Sequence, residues 1–117
     1  MYQENIVLCG ANAYEQKYYF NPDFSSLPSA VQDELQIMCV LYTEDVGGVL
    51  LLEFDEEGNL QFRVDAMDAD ARFDEIGSVL KIKEIRREKE ELLKSLEMYY
   101  RVFFLDEEIE GMEDVEL

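Results

Sequence analysis

The densest group of side chains that could do chemistry is a run of carboxylates over positions 65–75. It contains Asp65, Asp68, Asp70, Asp74 and Glu75, and oxygen ligands of this kind are those that calcium prefers. An EF-hand loop that began at Asp68 would need an oxygen ligand at its fifth position, glycine at its sixth and glutamate at its twelfth. This chain has arginine, phenylalanine and valine there. The run is therefore expected to be an acidic surface loop.

Histidine is absent from all 117 residues, which removes the usual general base and the commonest metal ligand. Ser-His-Asp and Cys-His catalysis and histidine-containing zinc sites are thereby excluded. Paired carboxylates could hydrolyse glycosides, but no spacing in this chain selects a pair. We expect no enzyme and no cofactor, and a small carboxylate-dependent enzyme or metal-binding protein is the least favoured alternative.

Two cysteines, Cys9 and Cys39, each lie in a short apolar run, over residues 6–9 and 37–42. Thiols in such runs usually behave as small buried hydrophobic groups. Nothing in the sequence suggests export, so a disulfide is the minority interpretation. We expect both thiols to be buried, reduced and poorly reactive.

The pattern of apolar residues predicts an α+β fold with the element order ββαββα. Strands are expected over 5–10, 16–21, 49–54 and 60–66, with a helix from about Pro28 to a stop at Gly47 and Gly48. All six residues from 37 to 42 are apolar, so this helix is expected to be buried on several sides. The strand over 49–54 is apolar on both faces, which indicates a central position in a four-stranded antiparallel sheet.

A long C-terminal helix is predicted from about Ile76 or Val79 to Leu105, with Ser78 as its cap if Gly77 breaks the chain there. A straight helix of ~26 residues is ~39 Å long, which is more than the sheet can cover. Its apolar seam is interrupted by one lysine, and the seam packs either on the chain's own sheet or on a second copy. The residues assigned to self-association are Ile85, Lys89, Leu92 and Leu96.

The formal net charge of the chain is −18, and it is unevenly distributed. Residues 1–80 carry a net −13, residues 81–105 a net +2, and residues 106–117 a net −7. This balance argues against nucleic acids and anionic membranes, and it suits either solubility or a basic protein as partner. The surface assigned to such a partner comprises Glu53, Asp55, Glu56, Glu57, Asp65, Asp68, Asp70, Asp74 and Glu75. No apolar run approaches a membrane span, and a cytoplasmic location is expected.

Several segments resemble an uncharacterised family of small acidic proteins from anaerobic Gram-positive bacteria. They are NIVLCGAN (5–12), YEQKYYF (14–20), CVLYTEDVGG (39–48), DEIGSVLKIKE (74–84) and LEMYY (96–100). The resemblance covers nearly the whole chain except its acidic tail and implies no known activity. The element order also resembles, in architecture only, small acidic immunity proteins that neutralise basic toxins.

These observations together predict one domain over residues 1–105 and a disordered acidic tail over 106–117. The expected function is that of a non-enzymatic protein-interaction module that associates with itself, as a homodimer, through the C-terminal helix. The alternative is an acidic inhibitor or immunity-type protein that binds a basic partner.

Overall fold

The computed structural model describes residues 5–105, which form a four-stranded antiparallel sheet and three helices. The strands are β1 (Ile6–Asn12), β2 (Lys17–Phe20), β3 (Val49–Phe54) and β4 (Leu60–Asp65). The helices are α1 (Ser29–Val46), α2 (Glu75–Glu88) and α3 (Glu90–Phe103), and a 3-10 turn, Pro22–Phe24, precedes α1. The predicted α+β class and antiparallel sheet are confirmed. The order ββαββα is wrong in its last element, because two helices follow β4.

The sheet has the strand order β2-β1-β3-β4, so β3 occupies the central position that its two apolar faces predicted. In the ladder, Leu52 lies opposite Cys9 on one side and Phe62 on the other. Because residues directly opposite one another on neighbouring strands point to the same side of a sheet, these three residues share one face. The Sγ of Cys39 in α1 lies 3.9 Å from that of Cys9. The guanidinium of Arg86 in α2 lies 4.7 Å from the centroid of the Phe62 ring.

Helix α3 packs on the same face of the sheet through stacked aromatic rings. Phe54 lies two residues beyond Leu52, and its ring centroid is 4.2 Å from that of Tyr100 in α3. Phe24, from the 3-10 turn, stacks on Phe104 at 4.7 Å. Aromatic pairs of this kind contribute about 0.5–1.5 kcal/mol beyond their buried area. All three helices therefore cover one face of the sheet.

The prediction of one long C-terminal helix is wrong, because the helix is interrupted at Lys89, where φ is −109° and ψ is 22°. The sequence has neither glycine nor proline at this point, so the cause is not a local breaker. A straight helix over residues 75–103 would be ~43 Å long. Instead, α2 packs along α1 and α3 packs on the sheet, and the Nζ of Lys89 lies 2.9 Å from the Oε2 of Glu34 in α1. The break lets each half bury its own apolar side.

Helix α1 ends where its glycines predicted, since Gly47 has φ of 82° and its N–H donates to the carbonyl of Thr43 at 2.8 Å. The expectation that this helix is enclosed on several sides is wrong. Cys39 is fully buried, whereas Ile37 and Leu41 are 59% and 48% exposed. No other described element covers the outer side of α1 at these two residues.

The start of α2 also differs from its prediction. The Oδ1 of Asp74 accepts a hydrogen bond from the N–H of Gly77 at 2.8 Å, so Asp74 caps this helix. Ser78 was expected in that role, but it is buried inside the helix, with its Oγ 2.5 Å from the hydroxyl of Tyr42 in α1. A serine that sequence reasoning assigned to a cap thus joins two helices.

The predicted acidic tail, residues 106–117, lies outside the described residues, and the domain boundary at 105 stays a prediction. Between residues 5 and 105, no helix has the length and apolar character needed to cross a lipid bilayer.

Candidate interaction surface

A groove of about 550 Å³ lies between α1 and α2. The two helices are antiparallel, because Tyr42 contacts Ser78 near the start of α2 while Glu34 contacts Lys89 just beyond its end. The apolar side chains that line the groove are Ala30, Ile37, Met38, Leu41 and Ile85. We call this surface the α1–α2 groove.

The apolar lining of the groove follows from the composition of α1. Leu35, Met38 and Tyr42 face the core and are buried. Ile37 and Leu41 are four residues apart, so they lie one turn apart on the outer side of the same helix. Single exposed apolar residues are ordinary on a protein surface, but this pair sits at the edge of a groove whose floor is also apolar. This contiguous apolar surface is therefore the candidate interaction site of the described chain.

Two lysines at the groove are already paired within the chain. The Nζ of Lys81 lies 2.9 Å from the Oδ2 of Asp45 and 3.5 Å from the Oε1 of Glu84. The hydrogen bond that it donates to Asp45 raises the pKa of Lys81 above its ordinary value. Lys89 pairs with Glu34 as described above. Both cations at the groove are therefore neutralised by carboxylates of the same chain.

Two more carboxylates, Asp33 and Glu88, also line the groove. Within the part of the chain that the structure describes, neither forms an ion pair. The groove therefore combines an apolar floor with a surplus of negative charge. Its chemistry suits an apolar ligand that carries positive charge at its edges.

The outward side of α2 has the complementary character. Ile76 is followed after three, four, seven and eleven residues by Val79, Leu80, Lys83 and Arg87, which places all five on one side of the helix; all five are exposed, so they form one stripe. Ile76 is 76% exposed and Leu80 is 60% exposed. Among residues 5–105, neither Lys83 nor Arg87 takes part in an ion pair. We call these five residues the α2 outer stripe.

The residues predicted for self-association are placed mainly inside the chain. Ile85 and Leu96 lie in the hydrophobic core, and Leu92 is half-buried against it. Lys89 pairs with Glu34. These four residues do not form an exposed stripe. Self-association remains a prediction, and it would have to use another surface.

The residues predicted to contact a basic partner are divided between two places. Residues 55–57 precede β4, whereas Asp65 ends it and residues 66–75 follow it, and a strand of six residues is about 20 Å long. Glu53 belongs to neither loop, because it is buried on the sheet, with its Oε2 3.3 Å from Arg63 Nη1. The structure therefore does not bring these carboxylates together into one surface.

Several of these carboxylates support local structure. The Oδ1 of Asp55 accepts hydrogen bonds from the N–H groups of Glu57 and Asn59, each at 2.9 Å, and so closes the turn between β3 and β4. The hydroxyl of Tyr14 donates to Asp70 at 2.5 Å, which lowers the pKa of Asp70. Within residues 5–105, no group of three or more cysteine, aspartate and glutamate side chains is placed to hold a metal ion.

The two cysteines are free and fully buried, as predicted. Hydrogen bonding to Cys9 and burial raise the pKa of the Cys39 thiol. The hydroxyl of Tyr18 is also enclosed and has no hydrogen-bond partner of normal geometry. Its pKa is raised, mainly by burial and to a smaller extent by the nearby Cys9. Nucleophilic chemistry requires the thiolate, which burial and the raised pKa of Cys39 disfavour, and the contact of the two thiols packs the sheet against α1.

Sequence reasoning missed both the groove and the stripe. A signal was present for the groove, because a helix that is apolar at every position from 37 to 42 has more apolar surface than one core face uses. The stripe had a weaker signal, since Ile76, Val79 and Leu80 fall outside the seam on which the helix prediction rested.

The fold and these surfaces define a two-layer α+β domain whose helical layer exposes an apolar groove. The chain belongs to a family of unknown function, DUF6145, whose sequence profile matches residues 5–108. This agrees with the resemblance to an uncharacterised family. No curated protein matches the chain, and no solved structure matches it.

Proposed function

We propose that this chain is a non-enzymatic protein-interaction module whose α1–α2 groove binds an amphipathic helix with basic residues beside its apolar stripe. The observation that carries the proposal is the exposure of Ile37 and Leu41 at an apolar groove with a surplus of negative charge. Helices that bind in grooves insert apolar residues spaced by three or four positions. A helix with two such residues and flanking lysine or arginine matches this groove in shape and in charge.

Several features support a binding role over a catalytic one. The chain contains no histidine. Both thiols are buried, and the pKa of Cys39 is raised. Asp55, Asp70 and Asp74 each accept hydrogen bonds that close a turn, fix a loop or cap a helix. These groups are used for structure, whereas the apolar side chains of Ile37 and Leu41 at the groove remain exposed.

A basic partner follows from the net charge of −18 as well as from the groove. The inhibitor or immunity-type alternative is therefore compatible with this proposal. In that case the basic partner would bind the α1–α2 groove and not the two separated acidic loops. A cytoplasmic location in an anaerobic Gram-positive bacterium belongs to the same proposal and rests on the sequence alone.

The direct test is a titration of the isotopically labelled protein with a designed helical peptide that carries two leucines one turn apart and lysines beside them. We expect amide chemical shifts to change along α1 and α2. A matched peptide with glutamate in place of each lysine is expected to bind at least about tenfold more weakly, which corresponds to ~1.4 kcal/mol. Shift changes confined to the open face of the sheet would contradict the proposal.

A pair of variants of the protein sharpens this test. Leu41→Glu places a charge at the apolar edge of the groove and is expected to weaken peptide binding by about tenfold or more. Gln36→Glu makes the same change of charge on α1, at an exposed residue that does not line the groove. Equal affinities for the two variants would place the peptide elsewhere.

A further inference from the structure

We propose that the natural occupant of the α1–α2 groove is the α2 outer stripe of a second copy of this chain. The inference rests on the proposed function, since it names the partner of that same groove. It also retains the predicted self-association but moves it from the buried seam to two exposed surfaces.

The first support is the match between the apolar parts of the two surfaces. The groove exposes Ile37 and Leu41 one turn apart on α1, and the stripe exposes Ile76 and Leu80 one turn apart on α2. Helices that pack on one another interdigitate side chains at this spacing. Each surface therefore offers apolar side chains that could cover the exposed apolar pair of the other.

The second support is charge complementarity. Asp33 and Glu88 at the groove, and Lys83 and Arg87 on the stripe, have no ion-pair partners in the region 5–105. The groove thus carries two carboxylates and the stripe two cations that are unpaired within the described part of the chain, so the two surfaces are opposite in charge. The chains as wholes repel each other, but at ~0.15 M salt charges more than ~8 Å apart are largely screened, and direct contacts are screened less.

The third support is that one chain can present both surfaces at the same time. Ser78 and Ile85 face the interior of the chain, whereas Ile76, Leu80 and Arg87 face outward on the other side of α2. Because groove and stripe are different surfaces, each contact joins the groove of one copy to the stripe of another. A two-fold dimer would contain this contact twice, and a head-to-tail array would contain it once per junction.

The test is a complementation experiment by sedimentation equilibrium at physiological salt. Leu41→Glu damages the groove and leaves the stripe intact, and Leu80→Glu does the reverse. We expect wild type to associate and each variant alone to associate at least about tenfold more weakly. An equimolar mixture of the two variants should recover association, because it contains intact grooves and intact stripes. The control is a mixture of Leu41→Glu with the double variant that carries both Leu41→Glu and Leu80→Glu. This mixture should not recover association, because neither component has an intact groove.

A wild-type protein that stays monomeric up to millimolar concentration would overturn the inference. So would a mixture that associates no better than its separate components, because self-association would then use another surface. Circular dichroism verifies that the variants fold. If one does not, the charge reversals Asp33→Arg and Arg87→Glu, both at exposed residues, provide a second pair for the same experiment.

The peptide titration separates this inference from the proposed function. A monomeric protein whose groove still binds the basic designed peptide would remove the second copy as partner and leave the interaction module intact. A monomeric protein that does not bind the peptide would refute both.

Discussion

Replacing Ser78 with alanine is expected to destabilise the fold by about 1–3 kcal/mol, because it leaves a buried hydroxyl without a partner. The Oγ of Ser78 and the hydroxyl of Tyr42 are 2.5 Å apart. Tyr42 is fully buried, and Ser78 is only 5% exposed. Water therefore cannot replace the lost oxygen without a rearrangement of α1 and α2, the two helices that form the groove.

A double-mutant cycle measures the interaction free energy between the hydroxyl groups of Ser78 and Tyr42. Tyr42→Phe alone leaves the Ser78 hydroxyl unpaired and is expected to cost about 1–2 kcal/mol. The double variant Tyr42→Phe, Ser78→Ala removes both polar groups, so its cost should fall below the sum of the single costs by about 1 kcal/mol. In a domain of about this size, each kcal/mol lowers the melting temperature by roughly 4–8 °C.

The assay is urea unfolding of the four proteins followed by circular dichroism. Additive single costs, within about 0.3–0.5 kcal/mol, would refute the contact between the two hydroxyl groups. Additivity is also the result expected if Ser78 capped α2, since a cap interacts with backbone N–H groups and not with Tyr42. The cycle therefore decides between the role expected from sequence and the role seen in the structure.

Three further predictions concern the helix cap and the thiols. Asp74→Ala should destabilise the protein by about 1 kcal/mol in urea unfolding, whereas Asp74→Asn should retain most of the stability, because asparagine also caps helices; equal losses would contradict the cap. Cys9 and Cys39 should react with a thiol reagent only after denaturant is added, and rapid labelling of the native protein would show that they are not buried. Because the pKa of Cys39 is raised on folding, its contribution to stability is complete below the unfolded thiol pKa of about 8.5 and is lost at higher pH. The decrease in the free energy of unfolding from neutral to alkaline pH should therefore be smaller in Cys39→Ala than in wild type. An equal decrease in both proteins would assign the pH dependence to other groups.

Local features of the sequence were sufficient to predict the sheet and the limits of α1. Alternation along β4 identifies one buried face, because neighbouring side chains of a strand point in opposite directions. Gly47 ends α1 because glycine adopts a positive φ without steric cost. The apolar runs around Cys9 and Cys39 predicted the burial of the two thiols correctly, since both lie on sides of β1 and α1 that pack in the core.

Tertiary packing alone decided the break at Lys89 and the exposure of Ile37 and Leu41. Periodicity shows which faces of a helix are apolar, but it does not show which of them another element covers. The break occurs without a local breaker residue. It results from the packing of α2 and α3 on different parts of the chain. Coverage depends on contacts between residues far apart in the sequence, such as Glu34 with Lys89, and these contacts exist only once the chain has folded.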